Sequence, residues 1–193
     1  MSLQRKAELR RIALERRAAL PEARRRDFSA RICRYVLAHP WIQQAQKVHT
    51  YCSFGTEVET HTLCQRLLQL GKRVAVPVVV GTELRHAWIS AQTRFRPNRW
   101  GIPEPEVSPE ELLPAEALGL GAHDVVLVPV VAYDRWLHRL GYGRGYYDRF
   151  LSLVAARRIG LAFSVQAFDM LPHGAHDLTL DALITEEGIL YPP

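Results

Sequence analysis

The chain has 193 residues, of which 48% are hydrophobic and 23% charged, the composition of one ordinary globular domain spanning 1–193 with enough chain for a full core. It contains no run of 18 apolar residues, and its arginine-rich start lacks an apolar signal segment, so neither membrane spanning nor export is expected. Three cysteines, Cys33, Cys52 and Cys64, without metal-type spacing point to reduced thiols and a cytoplasmic protein.

The net charge of +5 is uneven. Residues 1–34 hold eleven Lys/Arg against four Asp/Glu, a net of +7, and the rest of the chain carries −2. Such a run serves either as a solvated helix face or as a surface for a polyanion.

Leu9, Ile12, Ala13 and Leu20 mark a first helix over about 3–19. Pro21 suits the first turn of a second, in which Phe28, Ile32, Tyr35 and Val36 recur at buried-stripe spacing until His39-Pro40 ends it. A strand is predicted over Lys47–Phe54, then a helix over about 60–70 closed by Gly71, with the Thr60 hydroxyl as its N-cap. Arg73–Val80 and Leu84–Ser90 read as two strands around a Gly81-Thr82 turn. Residues 91–116 hold five prolines and little periodicity, which predicts a long ordered loop. Asp124–Ala132 is the clearest buried strand, followed by a helix over Tyr146–Ala156 and strands over Arg158–Phe163 and Leu180–Thr185. Strands alternating with helices, apolar on both faces, predict a three-layer α/β fold with a mostly parallel sheet flanked by helices.

In such a sheet ligands bind beyond the carboxyl ends of the strands. Three polar clusters fall at predicted strand ends: Ser53–Glu59, Tyr133–Asp148, and the stretch around Gln166–Asp181. In the first, Glu57 and Glu59 either decorate a helix entry, or one of them faces a pocket and accepts hydrogen bonds from an N–H-rich substrate. In the last, Asp177 and Asp181 read as turn residues or as partners of Asp148 around magnesium, which uses one or two carboxylates. His173 and His176 read as structural or surface histidines.

The most informative segment is 139–149, Arg-Leu-Gly-Tyr-Gly-Arg-Gly-Tyr-Tyr-Asp-Arg. Gly141, Gly143 and Gly145 let backbone N–H groups approach an anion, Arg139 and Arg144 add charge, and Asp148 offers a carboxylate for a metal ion. The spacing fits neither G-x-x-x-x-G-K-[ST] nor G-x-G-x-x-G, and no Lys-Ser or Lys-Thr pair occurs. Taken without its neighbours, a glycine triplet serves equally as a packing turn.

Together with Lys6…Leu9-Arg10, Ser53…Glu57-Val58-Glu59-Thr60, Gly71-Lys72-Arg73-Val74…Pro77, Gly101-Ile102-Pro103-Glu104-Pro105, Pro129…Asp134 and His176-Asp177…Asp181, this segment gives the chain a nearly full-length resemblance to the 5-formyltetrahydrofolate cyclo-ligase (5,10-methenyltetrahydrofolate synthetase) family. The resemblance implies a Rossmann-like sheet of the NagB/RpiA/CoA-transferase kind. It also implies conversion of 5-formyltetrahydrofolate and ATP to 5,10-methenyltetrahydrofolate, ADP and phosphate with Mg2+.

Carried over by position, Lys6, Arg10 and the loop Arg139, Leu140, Gly141, Tyr142, Gly143, Arg144, Gly145, Tyr146 and Tyr147 bind ATP. Arg10, Cys52, Glu57, Trp100, Tyr142, Gly143, Arg144, Gly145 and Tyr146 meet the folate. Arg139, Arg144 and Tyr146 serve catalysis, and Asp148 and Asp177 hold magnesium. Arg144 stands where the family often has Gly or Lys, and Cys52 where an aliphatic residue is common. The partners implied are the two small molecules, without nucleic acid or membrane, and a monomer is expected. Two other readings stay open on the residues: a nucleic-acid-binding protein using its basic helices, and a phosphosugar or coenzyme-A enzyme on a similar sheet.

Overall fold

The computed structural model describes residues 2–174 and 177–193. Helices α1 (Ser2–Ala19), α2 (Glu22–Ala38) and α3 (Pro40–Gln44) precede strand β1 (Lys47–His49) and helix α4 (His61–Gln69). Strands β2 (Arg73–Val80) and β3 (Glu83–Ile89) form a hairpin, and β4 (Phe95–Pro97) with β5 (Pro103–Pro105) a second, smaller one. Then come β6 (Val125–Pro129), β7 (Ala132–Tyr133), β8 (Arg139–Leu140), α5 (Tyr146–Ser152), β9 (Arg157–Leu161), β10 (Ala182–Thr185) and β11 (Gly188–Leu190).

Seven strands form one sheet in the order β11-β10-β9-β6-β1-β2-β3. The five inner strands run parallel, and the edges β3 and β11 are antiparallel hairpin returns. The expected three-layer, mostly parallel α/β fold is thus present. Side-chain alternation explains why its strands read as unbroken apolar runs. In β6, Val125 and Leu127 face a core built with Ile32, Val36, Leu63 and Leu67 of α2 and α4, whereas Val126 and Val128 face Leu118, Phe150 and Leu151 on the opposite side. A third cluster joins Leu9 and Ala13 of α1 to Val131, Ala132, Leu140 and Leu171, which lays α1 across the carboxyl ends of the strands.

From β1 the chain steps to β2 on one side and later to β6, β9 and β10 on the other, so the strand order reverses between β1 and β6. That reversal opens a crevice at the carboxyl ends of these two neighbours.

Several boundaries differ from expectation. β1 stops at His49 because, after one more bond from Thr50 N–H to Ala75 O, the chain leaves β2 and turns toward the crevice. Pro21 stands at the N-cap of α2, one residue before its first turn. Thr60 precedes α4 without capping it through its side chain; its hydroxyl donates to Tyr51 O (2.6 Å) and accepts from Ser53 N–H (3.1 Å), closing the turn between them. The 91–116 segment carries β4, β5 and the 3-10 turn Pro109–Glu111, and a second 3-10 turn, Ala115–Leu118, begins at its end. α5 ends at Ser152, four residues short of the predicted helix.

Gly160, mid-strand in β9, shows how closely the sheet is covered. A Cβ there would lie 2.5 Å from Leu180 Cδ1 and 3.0 Å from both Leu183 Cδ1 and Val130 Cγ2. Gly160→Ala is therefore expected to lower stability by about 1–3 kcal/mol through overpacking. Urea unfolding with an unchanged midpoint would contradict this.

Candidate functional site at the carboxyl ends of β1 and β6

The turn after β1 and the loop after β8 meet in this crevice. Glu57 is 7% exposed, whereas Glu59 is exposed to solvent, so only Glu57 faces inward. Its Oε2 accepts from Phe54 N–H (3.1 Å), and its Oε1 accepts from the Tyr142 hydroxyl (3.0 Å) in the glycine-rich loop. Burial raises the Glu57 carboxyl to about 7, against the lowering influence of the Phe54 amide, the Arg17 charge and the Tyr142 bond. The Tyr142 hydroxyl is itself pushed up to about 12 by burial and by the Glu57 charge, so it stays a proton donor.

Helix α1 presents cations to the same place. The Arg10 Nε donates to Gly141 O (2.6 Å), and its guanidinium lies against Gly143, where a Cβ would come within 3.3 Å. Gly143 (φ +91°) and Gly145 (φ +67°) adopt left-handed conformations that open the loop toward that guanidinium. Lys6 pairs with the Asp177 carboxylate, which also accepts from Gly174 N–H (2.8 Å). Burial alone would raise the Asp177 carboxyl, but the Lys6 bond, the Gly174 amide and the Lys6 and Arg139 charges together hold it low.

Arg139 Nη2 donates to Asp148 Oδ1 (2.9 Å), with the Arg139 side chain almost fully buried and Asp148 at the rim. Arg139 Nε is buried without a hydrogen-bond partner among the described residues. Lys6, Asp177, Arg139 and Asp148 therefore form one alternating chain of charge beside the loop. Two carboxylates with hard oxygen donors, edged by cations suited to phosphate, match what magnesium on a polyphosphate requires. Among the described residues no three His, Cys, Asp or Glu side chains gather into a metal cage.

The other predicted positions divide. Arg144 is exposed, its carbonyl accepting from Arg149 Nη1 (3.2 Å), and the Arg149 guanidinium lies 5.3 Å from the Tyr146 ring centroid. Leu140 and Tyr147 turn their side chains into the core, so only their backbones border the loop; the Tyr147 hydroxyl is buried without a partner among the described residues. α5 has seven residues and a correspondingly weak dipole, which leaves loop amides and arginines as the main attraction for an anion.

Cys52 lines a half-open groove of about 690 Å³ together with Thr60, Trp88, Phe95 and Pro103. All three cysteines are free thiols. Trp100 stands at the tip of the β4–β5 hairpin, 47% exposed, with the Arg99 guanidinium 4.0 Å from its ring centroid.

Of the third predicted cluster, Asp177 reaches the crevice, whereas Gln166 and Asp181 lie elsewhere. Gln166 is a buried brace that donates to Val130 O and Val131 O. Asp181 accepts from Arg158 N–H at the amino end of β9, the opposite end of the strands from the crevice. His173 is exposed and stacks on His138 at 3.9 Å, and His176 lies outside the described residues.

One contributor was not anticipated. Arg17 of α1 is 4% exposed and bonds to Thr56 Oγ1 (3.0 Å) and the Tyr142 hydroxyl (2.8 Å). Its place seven residues after Arg10, on one helix face, was the available signal.

A glycine-rich, cation-lined crevice at the strand-order reversal of a mostly parallel sheet places the chain in the class of α/β proteins whose ligand site lies at the carboxyl ends of the strands. The description of the 5-formyltetrahydrofolate cyclo-ligase family matches residues 2–186. The chain is similar to a 5-formyltetrahydrofolate cyclo-ligase of Mycolicibacterium smegmatis, at 34% identity over 98% of each chain. It is also similar to that of Escherichia coli, at 30% identity over 91% of this chain and 97% of the relative. The solved 5,10-methenyltetrahydrofolate synthetase of Aquifex aeolicus superposes with a TM-score of 0.79 at 33% identity, covering 96% of this chain and 92% of that one. The chain belongs to the 5-formyltetrahydrofolate cyclo-ligase family and is an enzyme.

Proposed function

We propose that the protein cyclises 5-formyltetrahydrofolate to 5,10-methenyltetrahydrofolate, with ATP converted to ADP and phosphate. The formyl oxygen is a poor leaving group, so the γ-phosphoryl group is transferred to it first. N10 then attacks the formyl carbon, the C–O bond breaks, phosphate departs and the N10 proton passes to solvent. This chemistry asks the protein for positioning and charge neutralisation rather than for a nucleophile.

The observation that carries the reading is the Tyr142–Glu57 bond, which joins a phosphate-type loop to a buried carboxylate. Glu57, when ionised, accepts from the pterin N–H groups, and the Cys52 backbone and Trp100 flank the same substrate. Lys6, Arg10, Arg139, Arg144 and the amides from Gly141 to Tyr147 receive the triphosphate. Tyr146, at the start of α5, lies against the transferred group with Arg139 and Arg144. Asp148 and Asp177 would hold magnesium, whose charge supports that of the arginines on the phosphates. Both ligands are small molecules, and we read the protein as a cytoplasmic monomer acting on them.

The test is absorbance in the methenyl product band, with protein, 5-formyltetrahydrofolate, magnesium and ATP. A rise that requires ATP is expected; no rise from folded protein would overturn the proposal.

A further inference from the structure

We propose that Arg17 is a positioning residue for the substrate: it clamps α1, the Thr56 turn and Tyr142 into one latch that aims the Glu57 carboxyl at the ligand and favours its ionised form. The proposal rests on the folate role of Glu57 given above.

Arg17 carries a full charge into a nearly closed spot, and no carboxylate lies within ion-pair distance of it among the described residues. Burying a cation in that way is costly unless a counter-charge and hydrogen bonds compensate. Both are supplied through one oxygen. The Tyr142 hydroxyl accepts from Arg17 Nη2 and donates to Glu57 Oε1, so cation and carboxylate are separated by no more than these two bonds of 2.8 and 3.0 Å. Accepting a charged hydrogen bond polarises the phenol and strengthens its own donation. The second arm, Nε to Thr56 Oγ1, fixes the guanidinium to the residue next to Glu57.

The other titratable groups acting on or responding to Glu57 are Tyr142 from the loop, Tyr51 and Cys52 from the segment after β1, and Tyr147 from α5. Burial and, next to it, neighbouring charge push all four acids upward, so they stay neutral near pH 7. Arg17 is the cation in that set. The exposed arginines of the two basic helices behave differently. Arg5, Arg11 and Arg26 form ordinary surface pairs with Glu8, Glu15 and Glu22, which gives Arg17 a role apart from the general basicity of the segment.

The experiment is a carbon-13 NMR titration of the Glu57 side-chain carboxyl in the substrate-free chain, followed by the pH profile of the folate KM. Arg17→Gln is expected to raise the carboxyl midpoint by about one unit or more. Arg17→Lys should restore most of the original value. The pH below which the folate KM climbs should move upward with the midpoint. An unchanged midpoint in folded Arg17→Gln would overturn the latch.

If that variant does not fold, Tyr142→Phe decides, because it cuts the link while leaving the guanidinium in place; a midpoint that fails to rise there overturns the proposal equally. A raised midpoint with an unmoved folate profile would retain the electrostatic link but refute the folate role of Glu57, so the two failures are distinguishable.

Discussion

Asp148→Asn is expected to yield a folded protein whose kcat is lower by at least about 100-fold, the order seen when one preorganised electrostatic group is lost. Asparagine keeps an oxygen for the Arg139 guanidinium, which bonds Asp148 Oδ1 at 2.9 Å, but removes the negative charge that magnesium needs. Asp148→Ala should do more. The Arg139 side chain is only 3% exposed and its Nε already lacks a partner among the described residues, so deleting its acceptor adds a destabilisation of about 1–3 kcal/mol. The two variants thus separate chemistry from fold. Steady-state rates at saturating ATP and magnesium, with thermal unfolding alongside, provide the readout. Near-normal kcat in Asp148→Asn would remove Asp148 from the metal site, and equal stability of the two variants would contradict the buried pair.

Glu57→Gln is expected to act in two opposite directions. The folate KM should rise about tenfold or more at pH 8, with a smaller effect on the KM for ATP, because an ionised acceptor is replaced by a neutral amide. Stability should respond with the reverse sign. Burial lifts the carboxyl to about 7 in the folded protein, above its ordinary value of 4.5. Between these two pH values the native state holds a proton that the unfolded chain has released, so this carboxyl favours folding below about 4.5, and that contribution is lost as pH rises through 7. The penalty at pH 8 is of the order of 2–4 kcal/mol. The Tm of Glu57→Gln relative to the parent should therefore climb by several degrees between pH 5 and pH 8. A constant difference across that range would refute the buried, elevated carboxyl.

Much of the fold was legible because parallel strands covered on both faces must be apolar throughout. Arg73–Val80 matched to the residue, and the 125–129 core of the longer predicted run was found on the same signal. The β4–β5 hairpin was hidden by its prolines. Pro97 faces Pro103, and Phe95 faces Pro105, whereas ladder bonds link Arg94 with Glu106 and Asn98 with Ile102, so the prolines occupy positions where no N–H is required. Sequence pattern weighs such prolines as loop.

At the site, the glycine-rich segment announced itself, because three left-permissive residues among arginines have few other uses. Which acidic residue turned inward did not. Glu57 and Glu59 look alike along the chain, and only the departure of the backbone from β2 after Thr50 buries one and exposes the other. Arg17 was lost in a crowd of arginines because charge counts carry no direction; burial supplied it.

Lys6 and Asp177 are 171 positions apart, yet they contact each other within the same cluster of charge. A pairing of such span is made only after nearly the whole sheet between its ends has been laid down, since its loop-closure entropy is large and nothing local offsets it. The crevice is accordingly expected to be completed late in folding. A chain still growing on the ribosome, with Asp177 not yet released, holds the glycine-rich loop and the basic helix but not the contact that joins that helix to the segment between β9 and β10, and so lacks its working form until that segment has emerged.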